Sequence, residues 1–169
     1  MESKNLWAPW RISYIQGLNE KHDCFICHNL ENPAQDKANY VLWRSANSMV
    51  ILNKFPYNNG HLLIAPNRHV PDFEDLNDDE LLEINKLIRL CQQALNDAIN
   101  PHGFNVGMNF GRCAGAGLPG HLHIHVVPRW DGDTNFMAVC GHTDVISQGL
   151  DELYDKLKQI SNEKNLPGI

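Results

Sequence analysis

The residues best suited to chemistry stand close together. In "GHLHIHVVPRW", Gly120 to Trp130, histidines occupy the alternate positions 121, 123 and 125. In an extended chain, alternate side chains share a face and sit roughly 6.5–7 Å apart. His121, His123 and His125 therefore line one face, while Leu122, Ile124 and Val126 can enter a core on the other. A lone histidine reads as a satisfied core residue, but a strict alternation of ionisable rings does not. Two chemistries fit it. Imidazole is the commonest transition-metal ligand, so the face could hold a metal centre. With an ordinary pKa near 6.5, a neutral imidazole is also a nucleophile and a proton donor near neutral pH.

The segment before the histidines weighs on that choice. "GRCAGAGLPG" carries Gly111, Gly115, Gly117 and Gly120 and runs straight into His121. Glycines allow backbone N–H groups to turn toward one point and to approach a ligand closely, which suits phosphate oxygens. No Gly-Lys-Ser/Thr follows, so this is not a P-loop. A glycine-rich turn alone is weak evidence; joined to the histidines, it suggests a phosphate set against an imidazole nucleophile. Upstream, "CFICH" places Cys24 and Cys27 at C-x-x-C spacing, half of a zinc site. No βαβ pattern surrounds the pair, which argues against a redox role, and His28 offers a neighbouring donor.

The elements that must position these groups read as a mixed fold. "YVLWR" and "SMVIL", separated by Ser45-Ala46-Asn47, predict a hairpin, and "HLLIAP" a third strand. Asn77 followed by Glu80 predicts a helix start. Leu81, Ile84, Leu87, Ile88, Cys91, Leu95 and Ala98 then recur at helical spacing up to Pro101. "FNVGMNF" and "HLHIHVV" predict two more strands joined by the glycine-rich turn. Leu150, Leu153, Tyr154, Leu157 and Ile160 predict a closing C-terminal helix. Short connections favour an α+β domain, an antiparallel sheet of about five strands with helices packed on it. The expectation is a single domain over residues 1–169, with an irregular N-terminal extension over about 1–38 that carries an aromatic cluster of Trp7, Trp10 and Tyr14.

Composition bounds the function. Hydrophobic residues at 43% and charged residues at 20% are ordinary for a globular chain and argue against disorder. A net charge of −6 disfavours non-specific binding to nucleic acid or to an anionic membrane, so a phosphate-bearing ligand needs a local site. "MESKNLWAPWRISYI" has no continuous apolar run after its basic residue, so no signal peptide is expected. Five cysteines, with only Cys24 and Cys27 close together, suit a reducing cytoplasm better than a disulfide scaffold.

"HLHIHVV" matches the His-φ-His-φ-His-φ-φ signature (φ apolar) of the histidine triad superfamily of nucleotide hydrolases and transferases. The resemblance extends along nearly the whole chain. "LNKFPYNNGHLLIAPNRHV" looks like that family's upstream nucleotide-binding segment. "LWAPWR", "NFGRCAGAGLPGHLHIHVVPRWDGDTNFM" and the long helix are similar to its bacterial branch of diadenosine tetraphosphate phosphorylases, or ATP adenylyltransferases.

The resemblance implies a HIT-like fold, a homodimer, and an adenine nucleotide or dinucleoside polyphosphate as substrate. It implies His123 as the nucleophile that takes the nucleotidyl group from the α-phosphate, with water or inorganic phosphate removing it. His125 would hydrogen-bond a phosphate or bridging oxygen, and His61 matches a fourth family histidine beside the phosphates. Asn53 matches a polar ribose contact and Asn109 a second polar group near the phosphates. Gly115 and Gly117 belong to the expected cradle, and Ile26 and Ile51 are candidates for an apolar base slot. Some members and the related galactose-phosphate uridylyltransferases bind a structural zinc, and the matching positions here are Cys24, Cys27, His69 and His121; no organic cofactor is implied. His22, His102 and His142 fall in expected loops. Many relatives place Gln and then Ser or Thr shortly before the triad, where this chain has Gly117 and Leu118, so the leaving-group contact must come from elsewhere. Two other readings are a hydrolase of nucleoside phosphoramidates or adenylyl esters, and a non-catalytic nucleotide sensor or zinc-binding interaction protein.

Overall fold

The computed structural model describes residues 24–133, 140 and 145–167. Trp7, Trp10, Tyr14, His22 and His142 lie outside them, as does the start of the N-terminal extension. Five strands form one antiparallel sheet in the order β1-β2-β3-β5-β4. They are β1 (Val41–Arg44), β2 (Ser48–Leu52), β3 (Leu62–Pro66), β4 (Gly103–Met108) and β5 (Ile124–Arg129). Among the described residues three helices accompany them: α1 (Phe25–Glu31), α2 (Asp78–Ile99) and α3 (Leu150–Glu163). The α+β expectation holds.

The long helix starts where its sequence says it should. The Asn77 side chain accepts from the Glu80 N–H at 2.9 Å, and Glu80 accepts in return from the Asn77 N–H at 2.9 Å. These reciprocal bonds satisfy two of the amides that a helix start leaves without partners. Ile84, Leu87, Cys91, Leu95 and Ala98 are buried against the sheet. The helix stops at Asn100, in the left-handed region at φ 46°, just before Pro101. α3 docks through Leu153, Tyr154 and Leu157, and its side chains also bond β1: Tyr154 Oη donates to the Val41 carbonyl, and Lys158 Nζ to that of Leu42, both at 2.9 Å.

The pleat sorts residues between two cores. Leu62, Ile64, Ile124 and Val126 face α2 and α3, while Leu63 and Ala65 join Ile26, Met49 and Ile51 on the opposite face. His125 lies directly across from Leu63, which puts the histidines on that second face.

Three expectations need correction. The extension is not irregular through residue 38, because α1 occupies 25–31. Its first turn is capped by the Cys24 sulfur, which accepts from the Cys27 N–H at 3.4 Å, and at seven residues it is too short to show helical periodicity. Second, only His125 lies within the ladder. β3 ends at Pro66, and the Leu122 N–H bonds the Val70 carbonyl at 2.7 Å instead, so His121 and His123 precede the regular strand while keeping its alternation. Third, Ile26 and Ile51 are closed inside the second core at 0% and 3% exposure, so neither offers an open wall to a base.

Candidate functional site

The β2–β3 loop, the end of β4 and the start of β5 bring His61, His123, His125, Asn53 and Asn109 together, and the hydrogen bonds assign a state to each ring. His123 and His125 are 8% exposed and His61 is fully buried. His123 Nδ1 lies 2.9 Å from the carbonyl of His121. A carbonyl only accepts, so in the neutral ring Nδ1 carries the proton and Nε2 keeps its lone pair. That is the tautomer a nitrogen nucleophile requires.

The neighbouring pair is fixed in the opposite sense. His61 Nδ1 accepts from the Tyr57 backbone N–H at 3.0 Å and faces the Asn53 amide nitrogen at 3.2 Å. Its Nε2–H therefore donates to His125 Nδ1, 2.9 Å away, which leaves the proton of His125 on Nε2. That N–H stands 3.4 Å from the Asn109 amide nitrogen. Two donors converging with no acceptor between them suit a phosphate oxygen.

Burial, reinforced by the neighbouring imidazoles, pushes the pKa of His61 down to about 3 and that of His125 to about 4. Both rings are thus neutral near pH 7, as the chain of bonds requires. Asn53 is committed within this network: besides facing His61, its oxygen accepts from the Phe55 N–H at 3.0 Å. Asn58 ties the same loop down by donating to the Pro128 carbonyl and to Asp133, which is held in turn by Arg129.

The glycine loop, expected to cradle a phosphate, turns at two of its glycines and commits two of its amides to its own turn. Gly111 at φ 73° and Gly115 at φ 90° make the turns that only glycine adopts readily. The N–H groups of Gly115 and Ala116 close the turn onto Arg112 and Gly111. Gly117 has no positive φ and nothing within 4 Å of an added Cβ, so what it offers is open approach to its backbone. Gly115 packs toward the Asn109 side chain, which places the loop beside His125.

Cys24, Cys27, His69 and His121 converge separately, with their four donor atoms within 4.8 Å of one another. Cys24 Sγ is 3.1 Å from His121 Nδ1, and Cys27 Sγ is 3.2 Å from His69 Nδ1. His121 Nε2–H donates to the Pro66 carbonyl at 2.9 Å, which leaves Nδ1 free to ligate. Metal-binding histidines are held by just such a second bond. Two thiolates and two imidazoles are a tetrahedral zinc set, and the donor chemistry fits. Burial and the adjacent Cys24 push the Cys27 thiol up to about 11, so a metal would have to displace its proton. His28 is exposed and lies outside this cluster, as does His102, which pairs with Asp131.

Tyr57 escaped the sequence reading. Its ring stacks on His125 with centroids 5.4 Å apart and lies 4.6 Å from His61. In "FPYNNGH" an aromatic before a turn reads as ordinary, and only its position directly before the "NNGH" of His61 hints at contact.

Residues 34–132 match the HIT domain family. The chain is 38% identical over 154 residues to an AP-4-A phosphorylase of Mycobacterium tuberculosis, covering 86% of this chain and 77% of that protein. It is 33% identical over 93 residues to a bis(5'-nucleosyl)-tetraphosphatase (asymmetrical) of Schizosaccharomyces pombe, covering 55% of this chain and 50% of that one. A crystal structure of a hypothetical histidine triad nucleotide-binding protein from Sulfolobus tokodaii aligns with TM-score 0.65 at 27% identity, over 85% of this chain and 93% of the other.

Proposed function

Because the chain belongs to the HIT domain family, we propose that it cleaves dinucleoside polyphosphates of the diadenosine tetraphosphate type at the α-phosphate, through a nucleotidyl-histidine on His123. The observation that carries this reading is the pair of opposed tautomers. His123 offers a bare Nε2, and His125, set by His61, offers an Nε2–H beside it. In the first step Nε2 forms a bond to the α-phosphorus as the bond to the bridging oxygen breaks, and the His125 N–H bonds the departing oxygen. In the second step inorganic phosphate or water attacks the same phosphorus and frees His123. The Asn109 amide, with the Gly117 backbone, holds the non-bridging oxygens. The names of the mycobacterial and yeast relatives support the substrate class and leave both acceptors open.

Zinc would be held by Cys24, Cys27, His69 and His121. With four protein ligands it keeps no open position for water, so its contribution is structural. The same reading includes a homodimer across β4, an edge strand with exposed Asn105, Val106 and Gly107 and no described strand on its outer side; a monomer in sedimentation velocity counts against it.

The test is incubation with diadenosine tetraphosphate, with and without inorganic phosphate. ADP plus ATP formed only with phosphate means phosphorolysis, while AMP plus ATP means hydrolysis. His123→Ala should lose the covalent adenylyl group seen by mass spectrometry and at least about three orders of magnitude in rate. Adenylylation surviving in His123→Ala, or no turnover of any adenylyl compound by the native protein, overturns the proposal.

A further inference from the structure

We infer that Tyr57 is a positioning residue for the leaving-group histidine: its backbone N–H and its ring together hold the His61–His125 pair in the single proton arrangement that points His125 Nε2–H at the departing oxygen. This rests on the nucleotidyl-transfer reading above.

An imidazole pair joined by one N–H···N bond has two arrangements of nearly equal energy, with the shared proton on either ring. Something outside the pair must choose. The Tyr57 amide can only donate, and it donates to His61 Nδ1 at 3.0 Å, which forces the His61 proton to Nε2 and the His125 proton outward. The ring of the same residue covers the pair. It is stacked on His125 with planes 23° apart and tilted 37° to His61, while its other side is open, the residue being 53% exposed. An aromatic face excludes water from both imidazoles without offering a competing hydrogen bond. Among the described residues the pair also meets His123, Asn53 and Asn109, and no carboxylate hydrogen-bonds either ring. The ring and the amide of Tyr57 thus act on the same two histidines. Pro56 before it, and Asn58 anchored to the Pro128 carbonyl and Asp133 after it, hold the loop in place.

The experiment compares Tyr57→Phe, Tyr57→Leu and Tyr57→Ala in the full-length protein, with histidine nitrogen NMR read beside kinetics. Resonances of His61 and His125 are assigned through His61→Gln and His125→Gln. The native protein and Tyr57→Phe should show both rings protonated at Nε2, with the His125 midpoint near 4. Tyr57→Leu and Tyr57→Ala keep the backbone N–H and with it both tautomers, but the His125 midpoint should climb toward the ordinary 6.5 as water enters. With diadenosine tetraphosphate, kcat should fall by about tenfold or more in these two variants, while KM stays within about threefold, because the loss falls on leaving-group assistance. Tyr57→Phe should restore kcat. A native His61 protonated at Nδ1, or an unchanged His125 midpoint in Tyr57→Ala, overturns the inference, as does a Tyr57→Phe as impaired as Tyr57→Ala. The NMR arm needs no turnover. A native protein inactive on every adenylyl compound therefore sinks the function proposed above, while the native tautomers and the His125 midpoints still decide the role of Tyr57.

Discussion

At the scale of single residues, the candidate site is organised by where its hydrogen bonds place protons. His61 is a buried base that the fold keeps neutral, with its pKa pushed down to about 3 by burial and by the neighbouring imidazoles. Its ordinary value is 6.5, so below that pH the unfolded chain binds a proton that the native protein refuses. Stability from this group is complete above pH 6.5 and is lost as the pH falls toward 3. Between pH 6.5 and 5.5, above most of the range in which carboxylates titrate, the loss should be about 1 kcal/mol. His61→Gln should flatten that limb of a urea-denaturation pH series. A variant as acid-sensitive as the native protein would show that the slope comes from His121 and His125, whose pKa values burial also lowers. The triad pattern pointed to the face and the row. It could not reveal the tautomers, because these are set by the carbonyls of His121 and Pro66 and the amide of Tyr57, none of which is a side-chain pattern.

At the scale of elements, legibility followed local physics. α2 was readable because its capping box and its buried stripe lie within one continuous segment. α1 was not, because its cap is a cysteine sulfur and its anchor, Ile26, belongs to a core assembled from β2 and β3. The regular start of β5 at Ile124 depends on Val70, which is distant in sequence and captures the Leu122 N–H. The glycine loop separates two roles that the sequence could not tell apart. Gly115 needs its left-handed backbone at φ 90°, whereas Gly117 stands in open space without it. Gly115→Val should therefore strain the turn, on the order of 1–2 kcal/mol, and displace the loop from Asn109 and His125. Gly117→Val should fold normally yet weaken nucleotide binding, because a β-branched group then stands over an approachable backbone amide. Calorimetric titration with a non-hydrolysable adenine nucleotide, alongside thermal melts, reads both effects. Equal melting temperatures for the two variants would refute the assignment.

At the scale of the whole molecule, one sheet separates a structural side from a chemical side. α2 and α3 cover the first face and bury its larger core, while the second carries a small apolar core, the histidine row and the Cys–His cluster. Among the described residues the second core holds six buried side chains, and Ile26 is the one contributed by α1. Cys24 and Cys27 flank Ile26, and the partners of their sulfur atoms are His69, just after β3, and His121, just before β5. A zinc ion bound by all four would join three segments far apart in sequence, and its binding energy would appear as folding energy. It would also hold His121, whose carbonyl fixes the proton of His123. Chelation of the purified, untagged protein should lower its melting temperature by on the order of 5–10 °C. Cys24→Ser should reproduce that shift and no longer respond to chelator. The helix cap must be separated from the metal, since serine also caps a helix and preserves the bond from the Cys27 amide. His69→Ala, which leaves the cap untouched, should therefore lose the same stability and the same metal as Cys24→Ser. Metal analysis well below one zinc per chain, with melting temperatures unmoved in both variants, would return Cys24, Cys27 and His69 to an ordinary thiol–imidazole cluster packed beside the site.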